Sequence, residues 1–374
     1  MSEPSLIAGP WSPSDVMPAA FLELPAQLYA GDPHWLGEDS QAVVRQFGPH
    51  NPWFAQADAA CWLGVVPGEA RLAGFYSGQQ IDGARVAFFG FWESRDNLDA
   101  NRRLFRALGD WAKAQGATRL YGPIDFSTFG SYRVRLDAFE AGTFPGEPWN
   151  PPYYPELLEQ LGFSQRYRYL STLTDTESAA ESIRADYLRV KPRLERQVRL
   201  EALDGEFWMN NLDELYGLVD QVFGSNFAYS RLSREAFEQH CGRPFAERLC
   251  PHSSVLARSL DGRIAGFFLV YPDYAPLLRN GNPQRLPVAQ VNFAEHFAQL
   301  PRPRRALAKT GGVHPDFREL GLFTAMGCEL SLRAMAHYDE LTAPLVREDN
   351  NSRQFALRHG RSQSRHYALY QGAL

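Results

Sequence analysis

The chain has 374 residues, a length that suits two domains better than one. It is 44% hydrophobic and 13% aromatic, enough to build folded cores. Its net charge of -5 argues against a nucleic-acid coat or an anionic membrane surface as the main partner.

Four cysteines, Cys61, Cys241, Cys250 and Cys328, include no CxxC pair and fit reduced thiols in a cytoplasmic protein. His240, Cys241, Cys250 and His252 are the one cluster of metal-ligand types. His240 and Cys241 are adjacent, and Cys250 and His252 are separated by one residue. Neither spacing matches the usual gap of about two to four residues between zinc ligands, so no metal is expected. The N-terminus lacks the basic and apolar regions of a secretory signal. No apolar run approaches the length of a bilayer span, so a soluble, intracellular protein without a membrane partner is expected.

Residues 1–50 read as a loop-rich entry, with Trp35 and the group from Asn51 to Phe54 docking onto a core. Strand patterns follow at 59–66, 71–77 and 85–92. Residues 98–115 read as a helix, because Leu104, Leu108 and Trp111 fall on one side and Asp96, Asn97 and Asp99 suit its start. A strand at 117–124, a short helix at 155–161 stopped by Gly162, and a closing strand at 163–173 complete this half.

The polar, acidic segment 174–182 is the expected boundary, followed by an Arg-rich helix or linker at 182–196. The second half repeats the order: a strand at 199–207, helices at 212–223 and 233–241, and a hairpin of 253–259 with 263–271 through Asp261 and Gly262. After a Pro-rich insertion come a strand at 305–313, a long helix at 321–336, a strand at 340–346, a helix at 351–359 stopped by Gly360, and a last strand at 364–370. The halves read as an internal repeat of about 170–200 residues, the size of a single domain.

The turn between the 305–313 strand and the long helix carries Val313, Pro315, Arg318, Gly321 and Leu322. A strand that turns into a helix through Arg-x-x-Gly leaves N–H groups unpaired at a positive helix end, where an anion can sit. With Asn350, Gly360 and the preceding hairpin, this pattern resembles the GNAT superfamily of acyl-CoA-dependent acyltransferases over about residues 197–374. The whole chain is similar to tandem-GNAT proteins with a diverged first copy.

The resemblance implies an α/β (α+β) fold of two tandem GNAT-like domains, each a mixed, mostly antiparallel sheet flanked by helices. The expected bounds are 1–175 for a first domain without a CoA site, 176–196 for a linker, and 197–374 for the acyl-CoA-binding domain. The implied donor is acyl-CoA, acetyl-CoA first among them. The amides of Glu319, Leu320, Gly321, Leu322, Phe323 and Thr324 would face the pyrophosphate beside Arg318. Val313 would offer main-chain groups to the pantetheine arm, with Asn350 or Asn351 opposite.

Phe323 stands where the family pattern usually has Gly or Ala. Phe355, Ala356 and Leu357 occupy the helix where many members carry an acidic Tyr, leaving His359, Tyr367 or no residue as the acid. His314 and Glu348 are the candidate catalytic groups, and Tyr229 and Tyr271 the candidate substrate-binding groups. Arg302, Arg304 and Arg305 form a basic knot that would suit the 3′-phosphate of CoA or an acidic carrier.

In the first half the equivalent turn has no Gly and carries Glu93, Asp96 and Asp99, which would cap the helix and repel a pyrophosphate. The leading expectation is N-acyl transfer to the amine of a small metabolite. The alternatives are an acyl carrier protein or aminoacyl-tRNA as donor, and a non-catalytic ligand-binding module.

Overall fold

A computed structural model describes residues 5–374 except 225, 230, 280, 281, 283, 284, 351, 360 and 361; the side chains of 356 and 362 are also outside the description. Asn351 and Gly360 therefore lie outside the described residues. The chain divides into two compact units: unit 1 is Met1–Arg168, Arg279–Gly281 and His366–Leu374, and unit 2 is Tyr169–Leu278 and Asn282–Arg365.

The elements begin with β1 (Ile7–Trp11), α1 (Ala19–Leu28), α2 (Ser40–Gln46), β2 (Ala60–Val66), β3 (Ala70–Tyr76), β4 (Gln80–Ile81) and β5 (Ala84–Ser94). Next come α3 (Leu98–Ala114), β6 (Arg119–Gly122), β7 (Val134–Arg135), α4 (Tyr154–Gln160) and β8 (Ser164–Asp175), the last running from unit 1 into unit 2. Then follow α5 (Thr176–Leu194), β9 (Val198–Ala202), α6 (Gly205–Asn210), α7 (Leu212–Phe223), α8 (Arg234–Cys241), α9 (Arg243–Ala246), β10 (Val255–Ser259) and β11 (Ile264–Pro272). After the short α10 (Ala275–Leu278) and α11 (Phe293–His296) come β12 (Arg305–Val313), α12 (Leu322–Ala334), β13 (Glu340–Arg347), α13 (Ser352–Arg358) and β14 (Ser362–Ala373).

Unit 1 holds the strand order β1-β2-β3-β5-β6-β14, and unit 2 the order β9-β10-β11-β12-β13-β8. Within each sheet one neighbouring pair is parallel, β5 with β6 and β12 with β13; the other pairs are antiparallel. In unit 1 the apolar side of α3 packs on β2 and β3, and Gly64 and Gly74 leave the room that Leu104 and Leu108 fill. In unit 2, α12 buries Leu322, Ala325, Met326, Leu330 and Ala334 against the sheet, with α5 packed on it as well.

Several boundaries differ from the sequence reading. The strand expected at 199–207 stops at Ala202, because Asp204 accepts the Phe207 N–H at 2.7 Å and starts a helix through the apolar run. The acidic stretch 174–182 is the start of α5, capped by Asp175. The loop-rich N-terminus contains β1, α1 and α2.

The closing strands also trade places. The 169–175 part of β8 pairs with β13 of unit 2, and the C-terminal part of β14 pairs with β6 of unit 1. Side-chain alternation tells a strand which face to bury but not which neighbour to take, so this pairing has no local signature.

Candidate active site

The parallel strands β12 and β13 pair only at Arg305–Glu340, Ala306–Leu341 and Leu307–Thr342. Each then bulges. On β12 the register against β11 shifts so that Lys309 is the extra residue between Ala308 and Thr310. On β13 the register against β8 shifts between Ala343 and Val346, where Leu345 has φ 57 and donates its N–H to Ser171 Oγ at 3.0 Å. Bulges bend a strand and break its ladder, so the two strands part into a wedge. Gly311 on β12 admits the Phe268 ring, which a Cβ there would meet at 2.9 Å.

Beyond Val313 the His314 N–H closes the ladder on Ala265 O at 2.9 Å, and a short 3-10 turn, Pro315–Leu320, leads to Gly321. Gly321 has φ 71, a left-handed conformation natural to glycine, and a Cβ there would meet no heavy atom within 4 Å. The α12 ladder begins with Ala325 N–H on Gly321 O at 3.1 Å. Leu322, Phe323 and Thr324 stand ahead of it, no side chain caps this end, and its first turn holds no acidic residue. The positive pole of a helix is thus uncovered beside open space. Arg318 and Glu319 are exposed, and Leu320 is half-buried. The half-buried Phe323 ring packs on Phe268 of β11, centroids 5.3 Å apart, in the core contact of unit 2.

The remaining sequence candidates fall in different places. His314 Nδ1 accepts the Asp316 N–H at 3.2 Å, so the ring caps the 3-10 turn. Glu348 is half-buried in the turn after β13. Asn350 accepts the Ser352 N–H at 3.0 Å and so starts α13. Tyr229 donates to Asp220 Oδ1 at 3.3 Å; partial burial and that carboxylate push its pKa up to about 12.

Tyr271, on β11 opposite Leu307, is 9% exposed and rests on Phe245 with ring centroids 5.7 Å apart. Its hydroxyl is buried without a protein partner, and burial holds its pKa well above the usual value.

The expected acids are otherwise engaged. Phe355 fits against Gly327 of α12, where a Cβ would lie 2.7 Å from the ring. His359 is buried, with Nδ1 3.0 Å from Ser182 Oγ on α5, and burial lowers its pKa. Tyr367 donates to Glu147 inside unit 1.

The basic knot is also spent: Arg302 and Arg305 meet Asp339 and Glu340, and Arg304 donates to Leu300 O. It lies at the start of β12, the end of the strand away from Gly321. The Lys309 and Leu345 bulges and the Phe268 wall escaped the sequence reading; the adjacent Gly311 and Gly312 are the one sequence signal that could have pointed to a close approach there.

Unit 1 closes the corresponding opening. Its strands β5 and β6 pair at Val86–Arg119, Ala87–Leu120 and Phe88–Tyr121. They stay together beyond that point, through Ile124 N–H on Phe89 O at 2.7 Å and Phe91 N–H on Asp125 Oδ1 at 2.7 Å. Gly90 permits this, since a Cβ would lie 2.3 Å from Ile124 O. The start of α3 is capped by Asn97, which accepts the Ala100 N–H at 3.1 Å, and Asp99 lies in its first turn. Glu93, expected at that helix start, instead turns inward to accept the Tyr29 and Tyr154 hydroxyls.

Among solved structures, a GCN5-related glucosamine N-acetyltransferase region of a fungal multi-domain β-N-acetylglucosaminidase aligns over 99% of this chain and 38% of its own, at 12% identity and TM-score 0.51. An Enterococcus faecalis protein described as a probable N-acyltransferase aligns over 98% of this chain and 72% of its own, at 9% identity and TM-score 0.51. The fold is that of the GNAT acyltransferases.

Among curated proteins, the GNAT-fold chain is 23% identical over 261 residues to a bacterial ceramide synthase of Caulobacter vibrioides. That match spans 68% of this chain and 66% of the relative, slightly under two thirds of its length. No protein-family profile matches the chain. Among the described residues no helix is long and apolar enough to cross a membrane, and no group of three or more His, Cys, Asp or Glu side chains is placed to hold a metal ion.

Proposed function

We propose that this chain is an N-acyltransferase that moves an acyl group from an acyl-CoA thioester to an amine, with its donor site in unit 2. The observation that carries the reading is the uncapped start of α12 at the mouth of the β12–β13 wedge. A pyrophosphate would take the N–H groups from Glu319 to Thr324, and Arg318 would add charge. The pantetheine arm would lie along Thr310 to Val313, pairing with main-chain groups as an added strand does. The bulge at Lys309 shifts the β12 register against β11 beside this path.

The neutral amine then attacks that carbonyl. The C–N bond forms, the C–S bond breaks, and the departing thiolate takes up the proton that the amine loses, so the products are the amide and free CoA thiol. Alignment of the two reactants in the wedge supplies much of the rate. His314 serves as a turn cap in this reading rather than as a base, and Tyr271 supplies the buried hydroxyl that a substrate polar group would satisfy. Unit 1, with its opening zipped by Asp125 and its helix capped by Asn97, serves as scaffold and binds no CoA.

The acceptor in the leading reading is the amine of a small metabolite. The similarity to a ceramide synthase favours a second: a long-chain amino alcohol, since ceramide is the N-acyl derivative of one. Free-thiol release from acetyl-CoA and palmitoyl-CoA, measured with amino acids, polyamines and a long-chain amino alcohol, tests both. Thiol release that depends on one class of amine selects that class. No amine-dependent release with any pairing sinks the transferase reading.

A further inference from the structure

Inside unit 1, three carboxylates gather round one guanidinium. Arg71 on β3, 1% exposed, donates to Glu38 through Nη1 at 3.0 Å and Nη2 at 2.6 Å, and to Phe21 O of α1 at 2.7 Å. Glu93 on β5 accepts the Tyr29 hydroxyl at 2.7 Å and the Tyr154 hydroxyl at 2.9 Å. Asp125, after β6, accepts the Phe91 N–H at 2.7 Å. Glu38, Arg71, Glu93 and Asp125 all act on one another electrostatically.

Three of these links belong to the N-terminal segment: Phe21, Tyr29 and Glu38 each bond to the sheet or to a group on it. Tyr29 also stacks on Trp35, with ring centroids 5.1 Å apart. With every carboxylate ionised, the cluster would hold three negative charges against one positive in a poorly hydrated space, which is costly.

We propose that Glu38, Glu93 and Asp125, set round Arg71, form a proton-controlled latch that fastens residues 19–39 to the sheet of unit 1 in acid and slackens as the pH rises to neutral. The facing groups are Tyr29 from the end of α1, Glu38 from the segment before α2, Arg71 from β3, Glu93 from β5, Asp125 from the chain after β6, and Tyr154 from α4. Shielding from water, outweighing Arg71, pushes Glu93 and Asp125 each up to about 7.

A carboxylate raised in the folded state favours that state most when protonated in both states. Its contribution is complete below the free value of about 4 and is lost as pH climbs through about 7. One proton released on opening makes the opening equilibrium rise about tenfold per pH unit within that window and level off above it.

Hydrogen-exchange protection factors for residues 19–39 of the full chain, compared at about pH 5 and about pH 7.5, test the latch. Wild type should lose at least about tenfold protection there between the two conditions, relative to the α3 and β2 amides. Glu93→Gln keeps an acceptor for both tyrosines but cannot ionise, and Asp125→Asn does the same at the Phe91 amide. Each should flatten the change. Equal protection at both pH values in wild type, or an undiminished fall in both variants, overturns the proposal.

Discussion

Tyr271 ends in a hydroxyl that is buried without a protein partner, an arrangement that costs stability unless a ligand completes it. Tyr271→Phe is therefore expected to raise the unfolding free energy by about 1 kcal/mol while lowering kcat/KM for amine acylation. A loss of stability together with unchanged turnover, read by denaturant titration and thiol release, would make Tyr271 a packing residue. Gly321 stood out in the sequence as the glycine of Arg-x-x-Gly, and the structure adds a conformational reason for it, a left-handed φ of 71. His314 was singled out for its position after the strand, and the structure adds that its Nδ1 caps the 3-10 turn. That cap depends on side-chain direction, which a residue list does not contain.

The two helices that follow the parallel strand pairs, α3 and α12, show how one element serves different ends. Asn97 and Asp99 satisfy and screen the start of α3, whereas α12 begins at an uncapped Gly321. Thr324→Asp places a carboxylate in the first turn of α12, where it suits the helix dipole but opposes an incoming pyrophosphate. The variant should fold at least as well as the parent and bind CoA at least about tenfold more weakly, a loss of about 1.4 kcal/mol. Unchanged affinity in a calorimetric titration would show that the phosphate goes elsewhere. The helix patterns, the Asp261-Gly262 hairpin and the strand-turn-helix corner were readable because each is written within a few neighbouring residues. The bulges at Lys309 and Leu345, which open the wedge, depend on partner strands far away in sequence.

At the scale of the whole chain, two six-stranded orders repeat with opposite treatment of the gap beside the parallel pair: zipped by Ile124 and Asp125 in unit 1, open past Leu307 and Thr342 in unit 2. The duplication was visible in the order of the patterns. The exchange of the closing strands β8 and β14 between the units was not, because pairing choice is a property of the assembled sheet. The asymmetry makes a direct prediction about stoichiometry. Isothermal titration of the full chain with CoA should show one site per chain. Two sites would contradict the closed state of unit 1, and no binding would contradict the reading of the α12 corner on which the donor assignment rests.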